Sequence, residues 1–176
     1  MDDLMGQVTD QQDIFKKILS KVPGFSGYIE RENRRAADKL LREVVAQRYE
    51  EQWRRISELQ RTAISAGEIK FVDDLESAAI KLRQFIDRIK TAAYGYSGLF
   101  DAQKINQEEL AMMYQHDQAL LESIDTLANA IDNVESSFNT EGISAAIRNL
   151  TSVSQQCVDA FNRRSQVFMR GIDESQ

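Results

Sequence analysis

His116 is the residue of this chain with the greatest capacity for chemistry, because it is the only histidine and an aspartate follows it in the segment MMYQHDQ. Bundle proteins that hold two iron ions use a Glu-x-x-His pair on each of two helices, with further glutamates. Here the residue three positions before the histidine is Met113, which excludes such a site. Phosphotransfer through His116 is the other chemistry. Histidine phosphotransfer domains usually carry a lysine and then a glycine soon after the histidine, and Asp117–Leu120 lacks both. We keep it as the last of three functional hypotheses.

No other catalytic pattern can be assembled from the sequence. Cys157 is the only cysteine and falls at an apolar position of a helical pattern, which favours a small core residue over a nucleophile. There is no glycine-rich phosphate loop and no zinc spacing of cysteine and histidine. The sequence therefore predicts a protein that is not an enzyme and that holds no metal or cofactor. A single cysteine excludes an internal disulfide and suits a reducing compartment.

Asp117 interrupts an otherwise apolar series of residues three and four apart. A buried aspartate needs a partner, and we predict a buried polar pair with Arg48 or Arg55. Such a pair would fix the register of two helices, as single polar residues in apolar seams can do.

The elements that carry these residues are helices. One proline in 176 residues and few β-branched runs indicate an all-α protein. Apolar residues recur three or four apart in long stretches, as they do on one face of a helix or coiled coil. The pattern predicts a short helix from Thr9 or Asp10 to Val22, followed by four long ones at Tyr28–Ala66, Glu68–Ala93, Asn106–Phe138 and Ile143–Ile172. Short connections such as 139–142 make neighbours antiparallel, so we predict an up-down antiparallel bundle of four long helices plus a short N-terminal helix.

The predicted domain organisation follows from these spans. Residues 1–22 form a flexible N-terminus and the short amphipathic helix, with 1–8 frayed. Residues 23–172 form one helical bundle, and 173–176 form a disordered tail. A chain of this length fits a single domain and needs no metal or disulfide to hold it together.

The net charge of −6 is unevenly distributed. Residues 1–66 carry 12 Lys and Arg against 11 Asp and Glu, whereas 67–176 carry 10 against 17. An acidic second half argues against a nucleic-acid partner. The basic residues within 31–43 alternate with acids, which indicates a solvated helix face rather than a phosphate-binding stripe. We also predict that the acidic fourth helix lies beside the arginine-rich second one.

The N-terminal helix offers a membrane-binding hypothesis. Its apolar residues fall on one side and its lysines elsewhere, as in helices that lie on anionic membranes. The alternative is a helix that folds back to cover one end of the bundle. No run approaches the roughly 20 apolar residues of a membrane span, so we expect a cytoplasmic protein or one peripheral to the inner face of the membrane. The residues of the membrane hypothesis are Ile14, Phe15, Lys17, Ile18 and Lys21.

Two connections are candidates for protein binding. The first, Lys21–Tyr28, holds Pro23 and two glycines, and the second, Tyr94–Gln103, alternates aromatic residues with glycines. Segments so apolar either fold onto the end of the bundle or form a docking patch. The predicted partner-binding residues are Phe25, Tyr28, Arg31, Arg34, Arg35, Tyr94, Tyr96, Leu99 and Phe100.

Two segments, KVPGFSGYIERENRRAADKLLRE and DRIKTAAYGYSGLFDA, resemble a family of uncharacterised bacterial helical proteins. Its members show PG-x-x-GY, then RR-x-AD-x-LLR, and later YGY-x-GFFDA; here Leu99 replaces an aromatic residue, and Asn33 stands at a usually charged position. The likeness covers roughly residues 20–135. Association of that family with membrane-organising band-7 (SPFH) proteins implies a scaffold or adaptor role. We therefore predict a non-enzymatic interaction protein that binds another protein. Apolar heptad surface left over also allows a homodimer.

Overall fold

Five α-helices make up the computed structural model, which describes residues 2–25, 34–92 and 107–173. The helices are α1 (Asp2–Lys21), α2 (Arg34–Ser65), α3 (Val72–Thr91), α4 (Gln107–Ser137) and α5 (Ile143–Asp173), and a 3₁₀ turn at Ile69–Phe71 precedes α3. No strand occurs in these three ranges. The predicted all-α class is confirmed.

The predicted helix boundaries differ most at the N-terminus. Helix α1 begins at Asp2, ahead of the predicted start at Thr9 or Asp10. Helix α5 reaches Asp173, one residue beyond the predicted end, whereas 174–176 lie outside the described residues.

Helix α2 ends in a Schellman motif centred on Gly67. The amide of Glu68 donates to the carbonyl of Ala63 at 2.8 Å, and the amide of Gly67 donates to Ile64 at 3.1 Å. Gly67 has φ +75°, the left-handed conformation that glycine commonly adopts at the C′ position of a helix. The motif satisfies two terminal carbonyls of α2 and turns the chain toward α3.

The turn between α4 and α5 lies where the sequence predicts it. Asn139 has φ 62°, a conformation that asparagine tolerates better than most residues. The hydroxyl of Thr140 donates to the carbonyl of Ser137 at 2.7 Å and accepts from the amide of Gly142 at 3.2 Å. The amide of Ala146 then donates to the carbonyl of Gly142 at 3.0 Å, which starts α5.

The chain folds into two compact units. The first consists of Met1–Val45, Lys90–Leu121 and Ala160–Gln176, and the second of Ala46–Ile89 and Glu122–Asp159. The second unit thus contains two helical hairpins, one made by α2 and α3 and the other by α4 and α5.

Contacts within the second unit define how its helices run. Tyr49 and Gln60 of α2 contact Phe85 and Glu76 of α3, so that these two helices are antiparallel. Tyr49 and Arg55 contact α4 at positions 123 and 132, respectively, so that α2 and α4 run parallel and side by side. This arrangement confirms the predicted contact between the arginine-rich helix and the acidic one.

The apolar seams predicted from the sequence form the core. Trp53, Val72 and Phe138 are half-buried members of the same series. The fully buried members in the second unit include Ile56, Leu59, Leu75, Leu82, Ile86, Ile124, Leu127, Ile131, Ile147 and Leu150. Those in the first unit include Ile18, Val22, Ala37, Leu41, Val45, Met113, Leu120 and Phe161.

Candidate functional site

Three polar side chains meet in the core of the second unit. The hydroxyl of Tyr49 lies 2.6 Å from that of Ser123, and the thiol of Cys157 is hydrogen-bonded to both residues. The ring of Phe85 stands edge-on to Tyr49, with centroids 4.5 Å apart. Tyr49 and Cys157 are fully buried. The sequence predicted a core position for Cys157 but did not predict the cluster, because Ser123 lies beside the apolar seam of α4 rather than in it.

The electrostatics of this cluster favour its uncharged form. Burial raises the pKa of the Cys157 thiol. Hydrogen bonds from Tyr49 and Ser123 lower this pKa, but they offset the effect of burial only in part. Burial also raises the pKa of Tyr49, and the neighbouring thiol raises it further. A protonated, buried thiol is a poor nucleophile. The cluster therefore joins α2, α4 and α5 as a neutral hydrogen-bond network.

Arg55 lies at the contact of α2 with α4. One guanidinium nitrogen donates to the carboxylate of Asp132 and, at 3.2 Å, to that of Glu135. Burial lowers the pKa of Arg55, but the two carboxylates outweigh it and the pKa is raised. Arg55, one of the two predicted partners of Asp117, is thus paired with these acids.

Asp117 is fully buried on α4, as its place in the apolar seam predicts. Its pairing with Arg48 stays a prediction. Beside it, His116 is half-buried. Among the described residues, no three acidic, histidine or cysteine side chains are grouped so that they could hold a metal ion. Phosphotransfer through His116 also stays a prediction.

A second ion pair lies at the start of α2 and was not foreseen. Asp38 is only 2% exposed and accepts from Arg42 Nε at 2.8 Å. The interpretation of residues 31–43 as a solvated face is therefore wrong for Asp38 and Arg42, although the expected pair Lys39–Glu43 is present at 3.7 Å on the surface. Asp38 falls one residue after the seam position Ala37, which brings it to the buried edge of the helix.

Aromatic packing anchors the end of α1. Phe15 contacts Phe25 and Tyr114, with ring centroids 6.1 and 6.0 Å apart. Ile18 and Val22 are fully buried. These contacts match the expectation of a helix folded back onto the bundle, and they leave Ile18 without a lipid-facing surface.

Of the residues proposed to meet a membrane, Lys17 is exposed, whereas Ile14, Phe15 and Lys21 are half-buried. Phe25, proposed to bind a partner, is 1% exposed, so it packs inward and can only position the chain that follows. Arg34 and Arg35 are the first residues of α2, and their side chains lie outside the description. Outside the described residues also lie Tyr28, Arg31, Tyr94, Tyr96, Leu99 and Phe100.

A groove of about 610 Å³ lies between α3 and α5 in the second unit. The amine of Lys81 donates to Gln155 at 2.7 Å across it, and Gln155 donates to Asp159 at 3.1 Å. Asp74 and Arg148 line its other end. The sequence did not reveal this groove, because its residues are polar and belong to no recognisable motif.

No protein-family model, curated protein or solved structure matches the chain. Within the described part of the chain, none of the helices combines the length and the apolar character that crossing a membrane requires.

Proposed function

We propose that this protein acts by binding another protein, as a scaffold or adaptor of a membrane-associated assembly. The observation that carries the proposal is the use of its reactive side chains: the thiol of Cys157 and the hydroxyl of Tyr49 are consumed by internal hydrogen bonds. What the second unit offers to other molecules is its surface, on which the exposed charges of α4 are all negative.

The single sign of charge on α4 supports recognition of a partner. Its exposed face in the second unit carries acids and no Lys or Arg, namely Glu122, Asp125, Asp132 and Glu135. On α2, by contrast, the exposed arginines of this unit are interspersed with exposed glutamates. Surfaces of one sign steer a complementary partner and disfavour others, which serves specificity more than affinity.

The anchored turn after α1 supports a docking surface next to it. Val22 and Phe25 are buried, and the amide of Phe25 donates to the carbonyl of Val22 at 3.2 Å around Gly24, whose φ is +80°. This turn fixes the position of Phe25, which precedes the proposed binding residues in the chain. A segment with a fixed starting point loses less conformational entropy when it binds.

The test is an affinity capture from native cytosol and membrane fractions with the wild type and two variants. We expect Tyr96→Ala and Arg35→Glu to weaken recovery of a membrane-assembly protein without a change in helicity or melting. Arg54→Glu is the matched control, since it reverses an exposed arginine of the same helix at a site not proposed to bind. Equal recovery by all variants would contradict the proposed surface, and unfolding of both variants would show that Tyr96 and Arg35 are structural.

Direct membrane binding through α1 is the second proposal. Lys16 and Lys17 are exposed, and Leu19 beside them is exposed to 40%. A basic surface with an accessible leucine can meet an anionic lipid headgroup region. Flotation with anionic liposomes tests it: Lys16→Glu with Lys17→Glu should abolish flotation while the folded bundle persists. Flotation unchanged by this double reversal would exclude α1 as the membrane-binding element.

Phosphotransfer is the third proposal and rests on His116 alone. Incubation with a phosphoryl donor such as acetyl phosphate should yield acid-labile phosphate on the wild type and none on His116→Gln. Its absence from the wild type would remove this function.

A further inference from the structure

The groove between α3 and α5 carries two charges of each sign in alternation. Asp74 and Lys81 lie on α3, and Arg148 and Asp159 lie on α5. Within the described part of the chain, neither Asp74 nor Arg148 has an ion-pair partner. The charge therefore changes sign along each helix from one end of the groove to the other. It goes from negative to positive on α3 and from positive to negative on α5.

We propose that the occupant of this groove is a second copy of the chain, packed antiparallel about a two-fold axis. In such a dimer the same patch meets itself, so each contact between two different residues occurs twice. An axis across the middle of the groove sets α3 against α3 and α5 against α5. Asp74 then meets Lys81 of the second copy, and Arg148 meets its Asp159. An alternating pattern of charges is self-complementary under this operation.

The spacing of the charges favours this arrangement over a parallel one. The bond from Lys81 to Gln155 places these positions at one level of the groove. With those two positions taken as level, we compare the midpoint between the two charges of α3 with the midpoint between the two charges of α5. The two midpoints differ by two residues, or about 3 Å along a helix. A parallel dimer would set Asp74 against Arg148 but would leave Lys81 four residues, about 6 Å, from Asp159. The antiparallel dimer satisfies both pairs within the reach of their side chains.

The centre of the same surface suits close approach. Ser77 of α3 and Ser152 of α5 lie near the midpoint and are small. Ile80, 48% exposed, stands on the adjoining crest of α3, in a shallow depression with Ser77 and Glu76. Small residues let two backbones approach, and an isoleucine from each copy supplies apolar area that water would otherwise cover.

The dimer should be weak and sensitive to salt. Stable interfaces bury about 800 Å² per partner around a well-packed apolar centre, whereas here one isoleucine per copy stands among exposed charges. We therefore expect dissociation in the micromolar range, weakened when the ionic strength is raised to about 0.5 M.

Sedimentation equilibrium of the full chain tests the proposal. Asp74→Lys alone, or Lys81→Asp alone, should weaken the dimer about tenfold, because each reversal opposes like charges twice across the axis. The exchange of both, D74K with K81D, should restore affinity to within a few fold of the wild type. Glu51→Lys is the control, since it reverses an exposed charge of α2 outside the groove and should leave dimerisation unchanged.

Four results would contradict the proposed dimer. A wild type that stays monomeric up to millimolar concentration overturns the dimer. If the reversals weaken the dimer no more than E51K does, any dimer forms through another surface. If the single reversals weaken it and the exchange fails to restore it, the antiparallel pairing is wrong. Ile80→Glu provides an independent variant that should abolish dimerisation without lowering the melting temperature, and a dimer that survives it also counts against this interface.

Discussion

Tyr49 shows how a single hydroxyl can link helices that are far apart in sequence. It is bonded to Ser123, 74 residues further along the chain, and to Cys157. A buried polar group stabilises a fold only while its partners are present, and a partner left behind after a substitution loses that compensation. Tyr49 therefore helps to determine which helices pack together and how they are aligned along their axes.

Tyr49→Phe should lower the free energy of unfolding by about 1–2 kcal/mol, because it leaves the hydroxyl of Ser123 and the thiol of Cys157 each short of one partner. Urea denaturation measures the change. In the double variant with Ser123→Ala, the loss should be smaller than the sum of the two single losses, as expected for residues in one network. Additive losses would mean that the two side chains are not energetically coupled.

Cys157 should make stability depend on pH in the alkaline range. Burial holds the pKa of its thiol above the ordinary value of about 9, so between pH 9 and the raised pKa the unfolded chain loses a proton that the folded chain keeps. The contribution is therefore fully present below pH 9 and is lost as pH rises, by about 1.4 kcal/mol per pH unit.

The measurement is urea denaturation of the wild type and Cys157→Ala from about pH 8 to pH 10. The difference in free energy of unfolding between the two should be constant up to pH 9 and then shift in favour of the variant. Parallel curves over the whole range would show that the thiol ionises equally in the folded and unfolded chains.

Gly67 illustrates how an element ends for reasons of backbone geometry. Its φ is +75°, and a β-carbon placed there would meet nothing within 4 Å. Gly67→Ala should therefore cost about 1 kcal/mol through backbone strain alone. Gly142→Ala is the matched control, since Gly142 has no positive φ and its β-carbon would make only an ordinary contact at 3.5 Å with the hydroxyl of Thr140. Equal losses in thermal melts would contradict this explanation.

The contact between α2 and α4 includes a surface ion pair of modest strength. Arg55 is partly exposed, and its partners Asp132 and Glu135 are about half exposed or more. A double-mutant cycle between Arg55→Met and Asp132→Asn should yield a coupling below about 1 kcal/mol, reduced further by salt. A larger coupling that resists salt would mean that the pair is more shielded from water than its exposure indicates.

Four of the helices contribute to both compact units: α2, α3, α4 and α5 each have residues in the first and in the second. If one unit unfolded alone, these helices would be interrupted partway along their length. We therefore expect the whole molecule to unfold cooperatively. Trp53, the only tryptophan, lies in the second unit and reports on it by fluorescence, whereas far-UV circular dichroism reports on all helices. The two thermal transitions should coincide, and separated midpoints would show independent units.

Sequence patterns predicted the architecture better than the polar contacts inside it. The 3-4 spacing identified the buried positions of α3, α4 and α5, because a helix turns its side chains at a fixed angle. Spacing cannot show that Asp38 turns inward with Arg42, or that Ser123 joins Tyr49. Those contacts depend on side-chain rotamers and on how two helices are aligned along their axes. The spacing of residues within one helix reports neither. The groove between α3 and α5 was predicted least, since the residues that line it are polar and belong to no recognisable motif.

The pairing of two hairpins in the second unit also orders the events of folding. Contacts inside the α2–α3 hairpin join residues as few as 16 positions apart, as between Gln60 and Glu76. Contacts between hairpins include pairs 74 and 80 residues apart, as Tyr49 with Ser123 and Arg55 with Glu135. Closing a longer loop costs more chain entropy, so short-range contacts form before long-range ones. The hairpins should therefore assemble early and dock late, which makes substitutions at Tyr49 change the unfolding rate more than the folding rate.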